Sequence, residues 1–187
     1  MSQTQYIKNI PNYLTLLRIV IIPIIVITFY FDDKVFAHQL SAILFACASI
    51  TDFLDGYLAR KYGWKSKIGM MLDPVADKLL ITSILLMLVK FSKSQEIPCL
   101  LILTREIAVM GMREFLSQSQ MSIPVTKLSK IKTTMQMVSL FVLLLGTKGS
   151  HIMYFDNIGN CLLWISALLT LVTGYSYVRT YIQYCFE

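Results

Sequence analysis

The chain has 187 residues, of which 56% are hydrophobic and 15% charged, with a net charge of +6 and a mean hydropathy of +0.62. An average soluble domain is about 45–50% apolar and about 25% charged, so this chain carries too little charge to clothe a water-facing surface. The same figures exclude a disordered or nucleic-acid-coating chain, and the basic excess is assigned to orientation in a membrane and attraction to anionic head groups.

The first twelve residues are polar and mixed, and suit a short surface helix or a loose tail equally. They do not read as a cleavable signal, because the apolar run that follows is long, contains Arg18 and lacks a small-residue exit. Six apolar stretches then follow: Tyr13–Phe31, His38–Ala59, Ile68–Phe91, Ile97–Phe115, Ile131–Thr147 and Ile158–Tyr181. Polar breaks separate them, among them Asp32-Asp33-Lys34, Lys61 to Lys65, Ser92 to Glu96, Ser117 to Lys130 and Lys148-Gly149-Ser150. Each stretch is close to the roughly 20 residues a membrane helix needs, and no alternating strand pattern competes. The expected fold is all-α: one polytopic membrane domain over residues 1–187 with six transmembrane helices.

Lysine and arginine counts orient it. With the N-terminus in the cytoplasm, one side holds eleven of these residues and the other four, with Lys78 and Arg105 inside spans. The positive-inside rule then places both termini in the cytoplasm. The four cysteines, Cys47, Cys99, Cys161 and Cys185, form no C-x-x-C, and His38 and His151 stand alone. Neither a zinc site nor a disulfide framework is expected.

Asp52, Asp55, Asp73 and Asp77 do not belong in a simple hydropathy reading. An aspartate at the centre of a span costs roughly 2.5–3.5 kcal/mol on insertion scales, less near an end. Residues three or four apart share a helix face. Asp52, Asp55, Gly56 and Ala59 therefore form one stripe at the end of the second span, and Gly69, Asp73 and Asp77 another at the start of the third. A short loop joins these spans, so the two stripes lie near the same membrane surface. Converging carboxylates without His or Cys select hard cations, Mg²⁺ or Mn²⁺, and four suit a two-metal cluster. Gly56, Ala59 and Gly69 remove side-chain bulk where a base or ribose would approach, and Arg60 is placed to clamp a diphosphate. A lone intramembrane aspartate would read equally well as a helix–helix hydrogen bond or ion pair.

The pattern D-x2-D-G-x2-A-R-x8-G-x3-D-x3-D, from Asp52 to Asp77, resembles the complete signature of the CDP-alcohol phosphotransferases, with all eight fixed positions matched. The resemblance implies a six-helix membrane enzyme that displaces CMP, a divalent-metal site and a homodimer. It implies that Asp52, Asp55, Asp73 and Asp77 are metal ligands, with Asp77 also the general base on the acceptor hydroxyl or else an outer metal ligand. It implies further that Asp55, Gly56, Ala59, Arg60 and Gly69 bind the CDP group.

Other segments bear on the acceptor: Asn9-Ile-Pro-Asn12-x2-Thr15-x2-Arg18, Leu72-Asp73-Pro-Val-Ala-Asp77-Lys78, Thr104-Arg105-Glu106 with Arg113, and Lys130-Ile-Lys132-Thr133-Thr134-x-Gln136. Together they resemble the bacterial phosphatidylglycerophosphate-forming branch of that family. This implies CDP-diacylglycerol as donor, sn-glycerol 3-phosphate as acceptor, and a bacterial inner-membrane location with the site facing the cytoplasm. Arg105, Arg113, Lys130 and Lys132 are the cations expected to bind the acceptor phosphate, arginine being suited to bidentate contact.

Plainer readings stand beside these. Arg105 with Glu106 also reads as a buried structural pair. Arg113, Lys130 and Lys132 also read as positive-inside anchors, and Arg18 as a side chain reaching lipid phosphate. Lys78 offsets Asp77, Pro74 removes a backbone donor and kinks the third span, and Trp64 anchors the interface. Two rival functions remain at this stage: an intramembrane prenyltransferase, which leaves the glycine–alanine–arginine spacing unexplained, and an ion carrier, which the clustering of carboxylates at one surface disfavours.

Overall fold

The computed structural model describes residues 10–62, 67–118 and 127–186, with side chains throughout except at 10–12, 53–61, 67–71, 117–118, 127, 176, 180 and 184–186. Among the described residues six helices run in chain order: α1 (Ile10–Thr28), α2 (Lys34–Tyr62), α3 (Lys67–Lys90), α4 (Glu96–Gln118), α5 (Lys127–Ser150) and α6 (Phe155–Phe186). No strand occurs among the described residues, so the all-α expectation holds.

The helix ends follow from local chemistry. The last turn of α1 tightens into three-residue steps, with Phe29, Tyr30 and Phe31 amides donating to the carbonyls of Val26, Ile27 and Thr28. Asp33 then caps α2, its Oδ1 accepting from the Phe36 amide at 3.1 Å. Ser92, with φ of 54°, ends α3 in a left-handed turn. Glu96 and Asp156 sit in the first turns of α4 and α6, where the helix dipole favours negative charge.

One expected break lies elsewhere. Lys148-Gly149-Ser150 was expected to end the fifth stretch, but α5 continues to Ser150 and the interruption is at Gly146, whose φ of 59° and ψ of 179° leave the helical region. Two side chains from the start of α2 bind this distorted end. His38 Nδ1 donates to the Leu145 carbonyl at 2.9 Å, and Gln39 Nε2 to the Gly149 carbonyl at 3.1 Å. These contacts satisfy carbonyls at the distorted helix end.

The chain divides into two units. The first comprises α1, α2, α3 as far as Leu88 and the end of α5 from Leu144. Its interior holds Ile25, Phe45, Leu80, Ile84, Leu85 and Leu88, with Ala42, Ala48 and Ala76 fully or almost fully buried. Small residues let helix backbones approach where lipid removes the ordinary hydrophobic drive for association.

The second unit comprises α4, α5 as far as Leu143, and α6. Ile102, Leu140, Leu143, Leu163 and Ala167 are completely buried there. Gly159 makes room for α5 against α6: a Cβ at that position would lie 2.8 Å from Leu143 Cγ and Cδ2. Ser139 Oγ donates to the Gly159 carbonyl at 3.2 Å across the same contact.

The outward faces are apolar. Leu16, Val20 and Ile27 on α1 and Leu168, Leu171, Val172 and Val178 on α6 are all exposed. Such faces suit hydrocarbon and not water. Among the described residues three segments are long and apolar enough to cross a bilayer: Lys34–Asp52, Leu128–Ser150 and Phe155–Gln183, with a shorter apolar helix at Tyr13–Thr28. The apolar segment of α2 ends at Asp52, where the first carboxylate stands. Ionisable residues interrupt the apolar character of α3 (Asp73, Asp77, Lys78) and of α4 (Arg105, Glu106, Arg113, Glu114). The chain is a helical membrane protein.

Candidate active site

Three helices of the first unit bring the carboxylates together, and the element that does so is α1. Thr15 and Arg18, three residues apart, share one face of α1. Asp73 and Asp77, four apart, share one face of α3. Thr15 Oγ1 donates to Asp73 Oδ1 at 2.5 Å, and Arg18 Nη1 to Asp77 Oδ1 at 2.5 Å. The numbering rises together on both helices, so α1 and α3 run parallel here. Arg18 Nη2 also reaches Asp52 Oδ1 on α2 at 2.8 Å.

The arginine is fully buried, while Asp52 and Asp77 keep 34% and 33% of their side-chain surface exposed. The planar guanidinium holds the two carboxylates on two separate nitrogens at a fixed spacing, a rigid geometry that a flexible lysine ammonium does not reproduce. Arg18 therefore does not reach out to lipid phosphate. A buried arginine in an apolar run needs anions, and it takes two from the motif itself.

The donor chemistry of Asp52, Asp73 and Asp77 fits a hard divalent cation: oxygen atoms only, from three partly exposed carboxylates, beside the buried guanidinium of Arg18. Among the described residues no group of three carboxylate, histidine or cysteine side chains is close enough to hold an ion by itself. The side chains of Asp55, Gly56, Ala59, Arg60 and Gly69, expected to complete the metal and CDP sites, lie outside the described residues.

The second unit gathers most of the expected phosphate-binding cations. Glu106 Oε1 accepts from Arg105 Nη1 at 3.1 Å and also from Lys132 Nζ on α5. Side-chain exposures are 9% for Arg105, 7% for Glu106 and 4% for Lys132. Arg105 Nη2 donates to Thr173 Oγ1 on α6 at 3.0 Å. The arginine stem passes over Gly174, where a Cβ would stand 3.0 Å from Arg105 Cγ. Tyr177, one turn further along α6, lies under both arginines, with guanidinium carbons 5.5 Å (Arg105) and 4.8 Å (Arg113) from its ring centre. Arg113 Nη2 donates to the Tyr177 hydroxyl.

Lys132 is thus not a surface anchor, although Lys130, two residues away, is exposed. Arg105 and Glu106 form the expected buried pair, with a second cation attached. Sequence reasoning missed Thr15 as the partner of Asp73, and Thr173, Gly174 and Tyr177 as the wall around Arg105. A polar Thr15–Arg18 face in an apolar helix was a usable signal for the first. Nothing in the sequence pointed to the α6 wall.

Comparison with known proteins agrees over nearly the whole chain. A family model described as CDP-alcohol phosphatidyltransferase matches residues 8–172. A CDP-diacylglycerol–glycerol-3-phosphate 3-phosphatidyltransferase of Rickettsia felis is 52% identical over 177 residues, covering 95% of this chain and 97% of the relative. The protein of the same name from Rickettsia bellii is 53% identical over 177 residues, with the same coverage. That from Bacillus subtilis is 36% identical over 180 residues, covering 90% of this chain and 93% of the relative.

Proposed function

The chain belongs to the CDP-alcohol phosphatidyltransferase family, and on that premise we propose that it transfers the phosphatidyl group of CDP-diacylglycerol to sn-glycerol 3-phosphate. The products are phosphatidylglycerophosphate and CMP, and the reaction belongs to phospholipid biosynthesis. The observation that carries this reading is the convergence of Asp52, Asp73 and Asp77, three positions of the signature, on one face of α1. Relatives bearing that enzyme name along 95% of the chain support the donor and the acceptor.

A divalent cation, Mg²⁺ or Mn²⁺ and two ions by the number of carboxylates, would be held by Asp52, Asp55, Asp73 and Asp77 and would neutralise the diphosphate and the departing CMP. Arg18 keeps Asp52 and Asp77 paired and oriented. Asp55, Gly56, Ala59, Arg60 and Gly69 are assigned to the CDP group. The hydroxyl oxygen of the acceptor attacks the phosphatidyl phosphorus, the bond from that phosphorus to the bridging oxygen breaks, and CMP leaves with the electron pair. Asp77 takes the hydroxyl proton as general base. Direct attack is favoured because no Ser, Cys or His is seen to contact Asp52, Asp73 or Asp77 among the described residues. Arg105, Arg113, Lys130 and Lys132 bind the acceptor phosphate.

Residues 1–187 act as one catalytic domain with six membrane spans and both termini in the cytoplasm. The apolar outer faces lie in lipid, where the acyl chains of the donor remain, and the active protein is a homodimer of the bacterial inner membrane. Purified protein supplied with CDP-diacylglycerol and Mg²⁺ or Mn²⁺ tests the reaction. CMP should be released with glycerol 3-phosphate and not with serine, inositol or inositol phosphate. Release with another acceptor alone would retain the metal site and remove the assignment of the four cations. Release with none would return the prenyltransferase and ion-carrier readings.

A further inference from the structure

We propose that Thr15 and Arg18 on α1 are positioning residues that form the outer shell of the divalent-metal centre and set its preference for Mg²⁺ and Mn²⁺ over Ca²⁺. This rests on the metal reading above, and it moves the Thr15-x2-Arg18 segment from the acceptor, with which its sequence associates it, to the metal. Thr15 Oγ1 donates to Asp73 and Arg18 Nη1 to Asp77, each at 2.5 Å, while Arg18 Nη2 reaches Asp52 at 2.8 Å. All three contacts fall on the Oδ1 atom of the aspartate, and Oδ2 takes none of them.

Burial separates the two sides of this arrangement. Thr15 is 1% exposed and Arg18 0%, whereas the side chains of Asp52 and Asp77 keep 34% and 33% of their surface and Asp73 is also partly exposed. The donors of α1 therefore stand on the closed side, and the carboxylates border the open side from which an ion and a diphosphate arrive. A carboxylate ligand hydrogen-bonded through one oxygen has a fixed plane and offers the other oxygen to a metal. One oxygen from each carboxylate suits the octahedral shell of Mg²⁺ or Mn²⁺. Ca²⁺ takes about six to eight oxygens in flexible geometry, often two from one carboxylate, and gains less from carboxylates held in this way.

The test uses the full chain in detergent, without substrate. It reads the dissociation constant of Mn²⁺ from the paramagnetic resonance of the free ion, and those of Mg²⁺ and Ca²⁺ by displacement. Thr15→Val keeps the side-chain shape and removes the donor. The expected result is a rise of about tenfold in the Mn²⁺ constant, the lower end of what loss of an outer-shell partner costs. The Ca²⁺ constant should change by less than about threefold, so that the preference for Mn²⁺ narrows. Thr15→Ser returns the hydroxyl and should stay within about threefold of the unaltered protein. Arg18→Lys keeps the charge, loses the planar spacing and should weaken Mn²⁺ binding as Thr15→Val does.

Equal weakening by Thr15→Val and Thr15→Ser, equal effects on Mn²⁺ and Ca²⁺, or loss of folding in both Thr15→Val and Arg18→Lys overturns the proposal in favour of structural contacts. Helix content and unfolding temperature without metal are measured on the same samples, and if Arg18→Lys alone does not fold the Thr15 variants decide. If the unaltered chain binds no Mn²⁺, the metal reading itself fails and the outer shell with it. If the unaltered chain binds Mn²⁺ and the folded variants bind it equally well, only the positioning role fails.

Discussion

Arg18 on α1 donates through Nη1 to Asp77 Oδ1 on α3 at 2.5 Å with its side chain completely buried. The contact joins the first helix to the last carboxylate of a motif that begins 34 residues after the arginine. Because the same guanidinium also holds Asp52, the spacing of two motif carboxylates depends on a residue outside the motif.

Arg18→Met should therefore destabilise the protein by about 2–3 kcal/mol, less than the full cost of breaking a sealed pair because each aspartate is one third exposed. Arg18→Lys should recover part of that stability and little of the activity, since a single flexible ammonium does not hold two carboxylates at the spacing the planar fork sets. Thermal unfolding in detergent and CMP release measured on the same samples check both. Equal activity in the lysine variant and the unaltered protein would exclude a role for the fork.

Thr15→Val removes the hydroxyl that orients Asp73. The expected cost is about 1 kcal/mol in stability and a several-fold loss of CMP release. Asp73→Asn should lose about a hundredfold or more if the carboxylate is a ligand and not merely an acceptor for Thr15. Valine and asparagine variants of equal activity would reduce Asp73 to a structural partner.

Chelation offers a test that leaves the chain intact. Treatment with EDTA should abolish CMP release, and Mg²⁺ or Mn²⁺ should restore it while Ca²⁺, larger and less demanding in geometry, restores it poorly. Activity that persists after exhaustive chelation would refute the metal assignment of Asp52, Asp55, Asp73 and Asp77.

Gly174→Ala places a methyl 3.0 Å from the Arg105 stem, which Thr173 and Tyr177 already confine. The acceptor KM should rise several-fold with the donor KM unchanged. Gly159→Ala meets Leu143 at 2.8 Å instead, and should act on stability, by about 1–3 kcal/mol of overpacking, with the KM values preserved. Unfolding temperature and steady-state kinetics on the pair separate a site effect from a packing effect. A fall in unfolding temperature for both, with no change in KM for either, would remove Gly174 from the acceptor site.

The helical class, the membrane setting and the carboxylate motif were legible without coordinates. Apolar runs of about 20 residues and carboxylates at three- and four-residue spacing are local properties, visible to anyone counting along the chain. Some interruptions were less legible. The expected break at Lys148-Gly149-Ser150 moved to Gly146 because α2 offers His38 and Gln39 to a distorted helix end, and that partnership spans more than a hundred residues.

The charged residues divide in the same way. Sequence alone determined that Asp52, Asp73, Asp77, Arg18, Arg105 and Lys132 sit in or beside apolar helices and so need partners. Which partner each takes was decided only by the tertiary structure: Arg18 turns inward to two aspartates, and Lys132 leaves the surface for Glu106. The reason is physical. A helix repeat states which residues share a face, but not which face of another helix it will meet, and a buried charge is satisfied only by what that meeting brings within hydrogen-bonding distance.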